Sequence, residues 1–189
     1  HGDVAQEASG NPQAVLYLKL SAHGTALSQL VVSGFGYTRR LLSNLQRGRD
    51  WDACGVLQIA FDDKESARQA ELVGAFPSGL LHAVDRARAE QLAGVALANG
   101  GLFYPDAGWV HPPAVCRWMI EHPAIELIRH RQPVELRRVN DHWQALNGDE
   151  LLAEAPVVIL AAAADVARFS QSASLPLKRN GAAINGLPA

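Results

Sequence analysis

The chain has 189 residues, room for one domain or about one and a half, and its 48% hydrophobic and 19% charged content suits a globular chain that buries a core. A net charge of −2 and a pI near 6.4 exclude the overall basic field that advertises a nucleic-acid partner. Two cysteines, Cys54 and Cys116, make neither a disulfide framework nor a zinc site, and no apolar run approaches the roughly 20 residues of a membrane helix.

Both thiols are expected to be buried and free. No secretory signal opens the residues, so a reducing cytoplasm is the expected setting, with no membrane partner. The chain starts at His1, carries its only methionine at Met119, and stops at Ala189 in mid-pattern, which reads as a piece of something longer.

The first informative stretch is Glu7 to Ala14, running on through Leu16-Tyr17-Leu18-Lys19-Leu20-Ser21-Ala22-His23. Ala8, Ser9 and Gly10 carry almost no side chain and let backbone N–H groups approach a large ligand. Ser9, Asn11 and Gln13 can donate or accept beside them. Ser-Gly-Asn-Pro is also ordinary turn chemistry, and local chemistry alone favours the turn.

Gly24 to Gln46 has helical apolar spacing through Leu27, Leu30, Val31, Gly34, Leu41 and Leu45. Gly34 and Gly36 within it suggest that another backbone packs close. The GFGYTR string there is not a dinucleotide fingerprint, because Arg39 takes the third glycine position and no strand precedes it. Trp51 to Phe61 reads as a strand, and Asp62 with Glu65 as a capping-box variant opening a helix to Phe76. Leu80 to Val84 is a short strand, and Asp85 caps a helix that Gly94 ends. Leu102 to Pro105 is extended, Asp106-Ala107-Gly108 turns, and Pro112-Pro113 start a helix that closes at His122-Pro123.

Beyond this point the pattern becomes β. Ile125 to Ile128 reads as a strand, and Val134 to Ala153 as a three-stranded meander turned at Asn140-Asp141 and Asn147-Gly148. Pro156 to Ala161 is a continuous apolar run, as in a strand buried on both faces. Ala162 to Phe169 is a turn or short helix. Leu175 to Leu177 and Ala182 to Leu187 are weak strand candidates. Arg129, Arg131, Arg137, Arg138, Lys178 and Arg179 could form an RNA-facing patch, but interleaved acids favour solvated strand faces. Histidines are scattered singly, so no metal site is expected, and no catalytic residue declares itself.

ASGNPQAVLYLKLSAH resembles the loop after the second strand of the flavin-binding domain in the D-amino-acid-oxidase superfamily. CGVLQ, FYPDAGWVHP, the Val134 strand, VVILA and RFSQSASLPL extend the resemblance in order along nearly the whole chain. The narrower likeness is to the oxidase half of a bifunctional enzyme family that completes methylaminomethyl-thiouridine at the tRNA wobble position.

The resemblance implies a mixed α/β (α+β) fold. Residues 1–50 and 110–189 would form part of a Rossmann-like FAD-binding domain, and 51–109 part of an inserted substrate domain. It implies FAD as cofactor, held by Ala8, Ser9, Gly10, Asn11, Gln13 and Ala14, by backbone at the Pro133-Val134 step, and by Ala161, Ala162 and Ala163. It implies oxidative C–N cleavage that removes a carboxymethyl group as glyoxylate, with tRNA as substrate and a methyltransferase domain in the same polypeptide. A free-standing glycine- or D-amino-acid-type oxidase and a non-catalytic folded module are the alternatives. The family usually has Gly at Ala14, Pro at Leu18, Gly at Ala163 and Arg-Gly-Gln at Gly181-Ala182-Ala183. With those departures and no GxGxxG loop, the chain alone is expected to bind FAD weakly and to self-associate or lose order around Val157 to Leu160.

Overall fold

A computed structural model describes residues 3–6, 8–129 and 134–177, which fall into two compact units, Asp3–Leu127 and a second beginning at Ile128. In the first unit a short 3-10 turn, Ala8–Gly10, leads into strand β1 (Ala14–Leu16). Helix α1 (Ala26–Leu42) follows, capped where the Thr25 hydroxyl accepts the Ser28 N–H at 3.1 Å. Its Phe35 and Leu42 are buried. Nothing lies within 4 Å of where a Cβ on Gly34 would stand, and only the tip of Arg40 is near Gly36. Among the described residues, the close backbone expected from these glycines is therefore not there.

The Trp51-to-Phe61 segment is two strands in two sheets, β2 (Trp51–Asp52) and β3 (Val56–Ile59). Gly55 makes the corner between them at φ +88°, with the Phe103 ring packed where a side chain would go. Helix α2 (Asp63–Ala75) begins with Asp62 accepting the Glu65 N–H at 2.7 Å. Strand β4 (His82–Val84), helix α3 (Arg86–Ala93, ended by Gly94 in the left-handed region), β5 (Gly101–Tyr104), β6 (Gly108–Val110) and α4 (Pro112–Ile120) complete the unit.

Two antiparallel sheets result, ordered β1-β6-β2 and β3-β5-β4. Leu18, Leu20, Phe35, Leu72, Leu81, Leu102, Tyr104 and Ala107 form the core between them and the helices. Ile125 to Ile128 forms no strand and is exposed, since none of the described strands offers it a ladder. Cys54 is exposed and Cys116 half-buried, against the expectation of buried thiols; Cys54 sits at the β2–β3 corner, which the core does not cover.

The second unit holds the expected meander, β7 (Glu135–Val139), β8 (His142–Asn147) and β9 (Glu150–Ala155), in that order. Asn140 and Gly148 take positive φ at its two turns. Arg137 and Arg138 are exposed on β7, with the Arg138 guanidinium 5.8 Å from the Trp143 ring centre. Pro156 to Ala161 is not a buried strand. It is irregular, with Val157 71% and Ile159 84% exposed, because a strand covered on both faces needs partners on either side and the described residues pair none with it. A 3-10 turn, Ala163–Arg168, follows, and Leu175 to Leu177 is likewise not a strand. Ala182 to Leu187, with Arg131, Lys178 and Arg179, lie outside the described residues.

Candidate functional site

The Ser-Gly loop is built for close approach. A Cβ on Gly10 would stand 2.7 Å from the Ala5 carbonyl oxygen, so only glycine fits. Ser9, Asn11 and Gln13 are exposed or half-buried, and among the described residues their side chains have no hydrogen-bond partner. Ala14 opens β1 opposite Val110, which ties the loop to the sheet and to α4 behind it. Small residues, a forced glycine and three unspent polar side chains fit a dinucleotide laid along the loop.

The chain leaving β1 lines a cavity of about 480 Å³ with Tyr17, Lys19, Ser21 and His23. Gln58 of β3, Arg68 and Glu71 of α2, and Tyr104 of β5 close its other wall. KLSAH, CGVLQ and FYPDAGW, far apart in sequence, thus meet at one hollow. Tyr104 is 1% exposed, and its hydroxyl donates to Gln58 Oε1 at 3.4 Å. Burial pushes its phenol above the ordinary value.

Glu65 is the hub behind that wall. It accepts Arg68 Nε at 2.8 Å and a second Arg68 nitrogen at 2.7 Å, Gln69 Nε2 at 2.9 Å and Gln58 Nε2 at 3.0 Å. The Arg68 hydrogen bonds, helped by Gln69, hold its carboxyl below the usual range, and the same pair raises Arg68. Gln69 also donates to the Gln58 carbonyl at 3.2 Å. A fixed carboxylate thus orients Arg68 and, through Gln58, the Tyr104 hydroxyl. Sequence reading saw Glu65 only as a capping residue. Its spacing to Arg68 and Gln69, three and four residues on along one helix face, was the available signal.

Val134 and Ala161 to Ala163 belong to the other unit, and Pro133 lies outside the described residues. Val134 is half-buried just before β7, and Ala161, Ala162 and Ala163 are exposed. Ala163 has φ +47°, a left-handed backbone that favours glycine, at the position where the family resemblance expects one. Among the described residues no group of three His, Cys, Asp or Glu is placed to hold a metal, and no helix is long and apolar enough to cross a membrane.

A glycine-forced loop feeding a cavity walled by an ordered carboxylate–guanidinium pair suits a flavin-dependent oxidoreductase, and the comparison with known families agrees. The family model for DAO, FAD dependent oxidoreductase, matches residues 1–185, and the chain belongs to that family. Its relatives are narrower in kind. The tRNA 5-methylaminomethyl-2-thiouridine biosynthesis bifunctional protein MnmC of Stutzerimonas stutzeri is 67% identical over all 189 residues, and the MnmC protein of Pseudomonas putida strain F1 is 66% identical. That of Pseudomonas fluorescens is 62% identical over 188 residues. The chain spans 29% of the length of each.

Proposed function

We propose that this chain contributes the flavin-side loop and part of the substrate-side wall of an oxidase that cleaves a C–N bond, removing the carboxymethyl group from carboxymethylaminomethyl-thiouridine at the tRNA wobble position. The observation that carries this reading is the meeting of three family motifs at the 480 Å³ cavity beside the Gly10 loop. The bifunctional tRNA-modifying relatives support the substrate, a methyltransferase domain in the same polypeptide and a cytoplasmic setting.

Bound FAD would supply the redox step, taking a hydride equivalent from the carbon beside the amine. The residues present would bind and orient. Backbone at Ala8 to Gly10 with Ser9, Asn11, Gln13 and Ala14 would hold the cofactor. By the family resemblance Val134 and Ala161 to Ala163, in the other unit, would add backbone contacts to the same cofactor. The Glu65–Arg68–Gln58–Tyr104 network would hold the cavity wall in one arrangement. Sheet β3-β5-β4 with α2 and α3 falls wholly within residues 51–109, which supports reading that stretch as substrate domain and the flanking 1–50 and 110–189 as flavin domain. Ala163 at φ +47°, where the family has glycine, favours a second reading for these residues alone, a non-catalytic folded module unable to bind flavin.

Ser9→Asp tests the loop. Ser9 is exposed, so the change leaves folding intact while setting a negative charge beside the dinucleotide phosphates. In a protein of the relatives' length carrying this segment, FAD retention should fall about tenfold or more, roughly 1.4 kcal/mol, while Ser9→Asn retains it. Equal retention by Ser9→Asp would place the flavin elsewhere.

A further inference from the structure

A second groove in the Asp3–Leu127 unit shares no lining residue with the cavity above. It lies between the loop after α1 and the face of α4, and its volume of about 720 Å³ falls within the range of about 300–1,000 Å³ that holds small ligands. Its floor is Asp50, 4% exposed, which accepts Arg49 Nε at 2.8 Å and a second Arg49 nitrogen at 2.7 Å, and the Gln46 N–H at 3.1 Å. The Arg49 hydrogen bonds, helped by the Gln46 N–H, hold the Asp50 carboxyl below the usual carboxylate range, and the backbone N–H of His111 donates to the Asp50 backbone carbonyl at 2.7 Å.

The consequence is a guanidinium plane pinned in one orientation while 68% of the Arg49 side chain stays exposed. Facing the same groove are Arg117 and the half-buried Trp118, and among the described residues neither the Arg117 guanidinium nor the Trp118 indole N–H has a partner. Asn44 donates its amide to the Leu41 carbonyl at 2.9 Å, leaving its oxygen free to accept. The charges of the lining cancel, Arg49 and Arg117 against Asp50 and Glu121. A polyanion gains little from such a groove. A neutral planar ligand with donors and acceptors on its edge gains stacking planes and hydrogen bonds together.

We propose that this groove takes an unpaired nucleobase of an RNA, stacked on Trp118 and the Arg49 guanidinium, with Arg117 and Asn44 at the base edge. The proposal deepens the reading of an RNA substrate and rests on it for the biological source of the base.

The test is fluorescence anisotropy of a labelled, unstructured oligouridylate titrated with the full 189-residue chain across a salt series, with free uridine as competitor. Saturable binding that uridine displaces and that weakens little with salt is expected, in contrast to the steep slope of phosphate contacts. Trp118→Ala should lose at least about fivefold in affinity and Trp118→Phe should keep most of it, since base stacking survives the smaller ring. Absence of saturable binding by the unsubstituted chain would overturn the proposal. So would equal binding by Trp118→Ala, displacement by heparin but not uridine, or occupation of the groove by a protein that RNA does not compete away. The assay needs no flavin. Its failure therefore leaves the Ser9 test standing, and loss of flavin binding with base binding intact would sink the oxidase reading alone.

Discussion

Glu65 does two jobs, closing the first turn of α2 through its N–H and anchoring Arg68, Gln58 and Gln69 through its carboxylate. Its folded-state pKa lies below the ordinary value, so the stability it contributes is fully present above the unfolded pKa and is lost as pH falls through the folded one. Urea midpoints followed from pH 7 down past about 4.3, the ordinary glutamate value, should therefore fall less steeply in Glu65→Gln than in the parent chain. Identical slopes would show that the carboxylate contributes nothing. Ala163 is the opposite kind of residue. Its left-handed backbone, at φ +47°, is a strained conformation for a residue with a Cβ.

At the scale of elements, the glycines separate by what surrounds them. Gly34 stands in open space on α1, and Gly34→Ala should stabilise the chain by about 0.5–1 kcal/mol by removing backbone freedom from the unfolded state. A Cβ on Gly101 would stand 2.0 Å from the Gln58 carbonyl oxygen, so Gly101→Ala should open the β3–β5 pairing and cost at least about 1–3 kcal/mol. Thermal denaturation of both variants checks the pair; equal shifts would contradict the packing described. Helix α1 was legible from its apolar spacing, and its Thr25 cap shows only in the structure. Capping residues made two other helices legible, since Asp62 and Asp85 each accept the N–H three residues on. Asn147-Gly148 did the same for the meander. The break at Gly55 was not legible, because Trp51 to Phe61 reads as one apolar strand and only the Phe103 ring, 48 positions away along the chain, shows why it turns. The Glu65 network was hidden for the same reason, since its partners Gln58 and Tyr104 come from two other elements.

For the molecule as a whole, the apolar run Val157 to Leu160 carries the main discrepancy. Its composition is that of a central parallel strand, yet it forms none, with Val157 and Ile159 exposed and Val158 and Leu160 half-buried. Backbone amides there should exchange with solvent within seconds in dilute chain, as unpaired groups do. Slow exchange that is independent of concentration would mean the run has found a partner sheet, and protection that grows with concentration would mean self-association. The proposed activity rests on the Ser-Gly loop, the cavity and the 62–67% identity to relatives of which this chain spans 29%. The most direct measurement is the flavin absorbance per polypeptide of the Stutzerimonas relative with its matching segment replaced by these 189 residues. A yellow chimera with close to one FAD per chain, beside a colourless isolated segment, is the predicted result. A folded, colourless chimera would contradict the account.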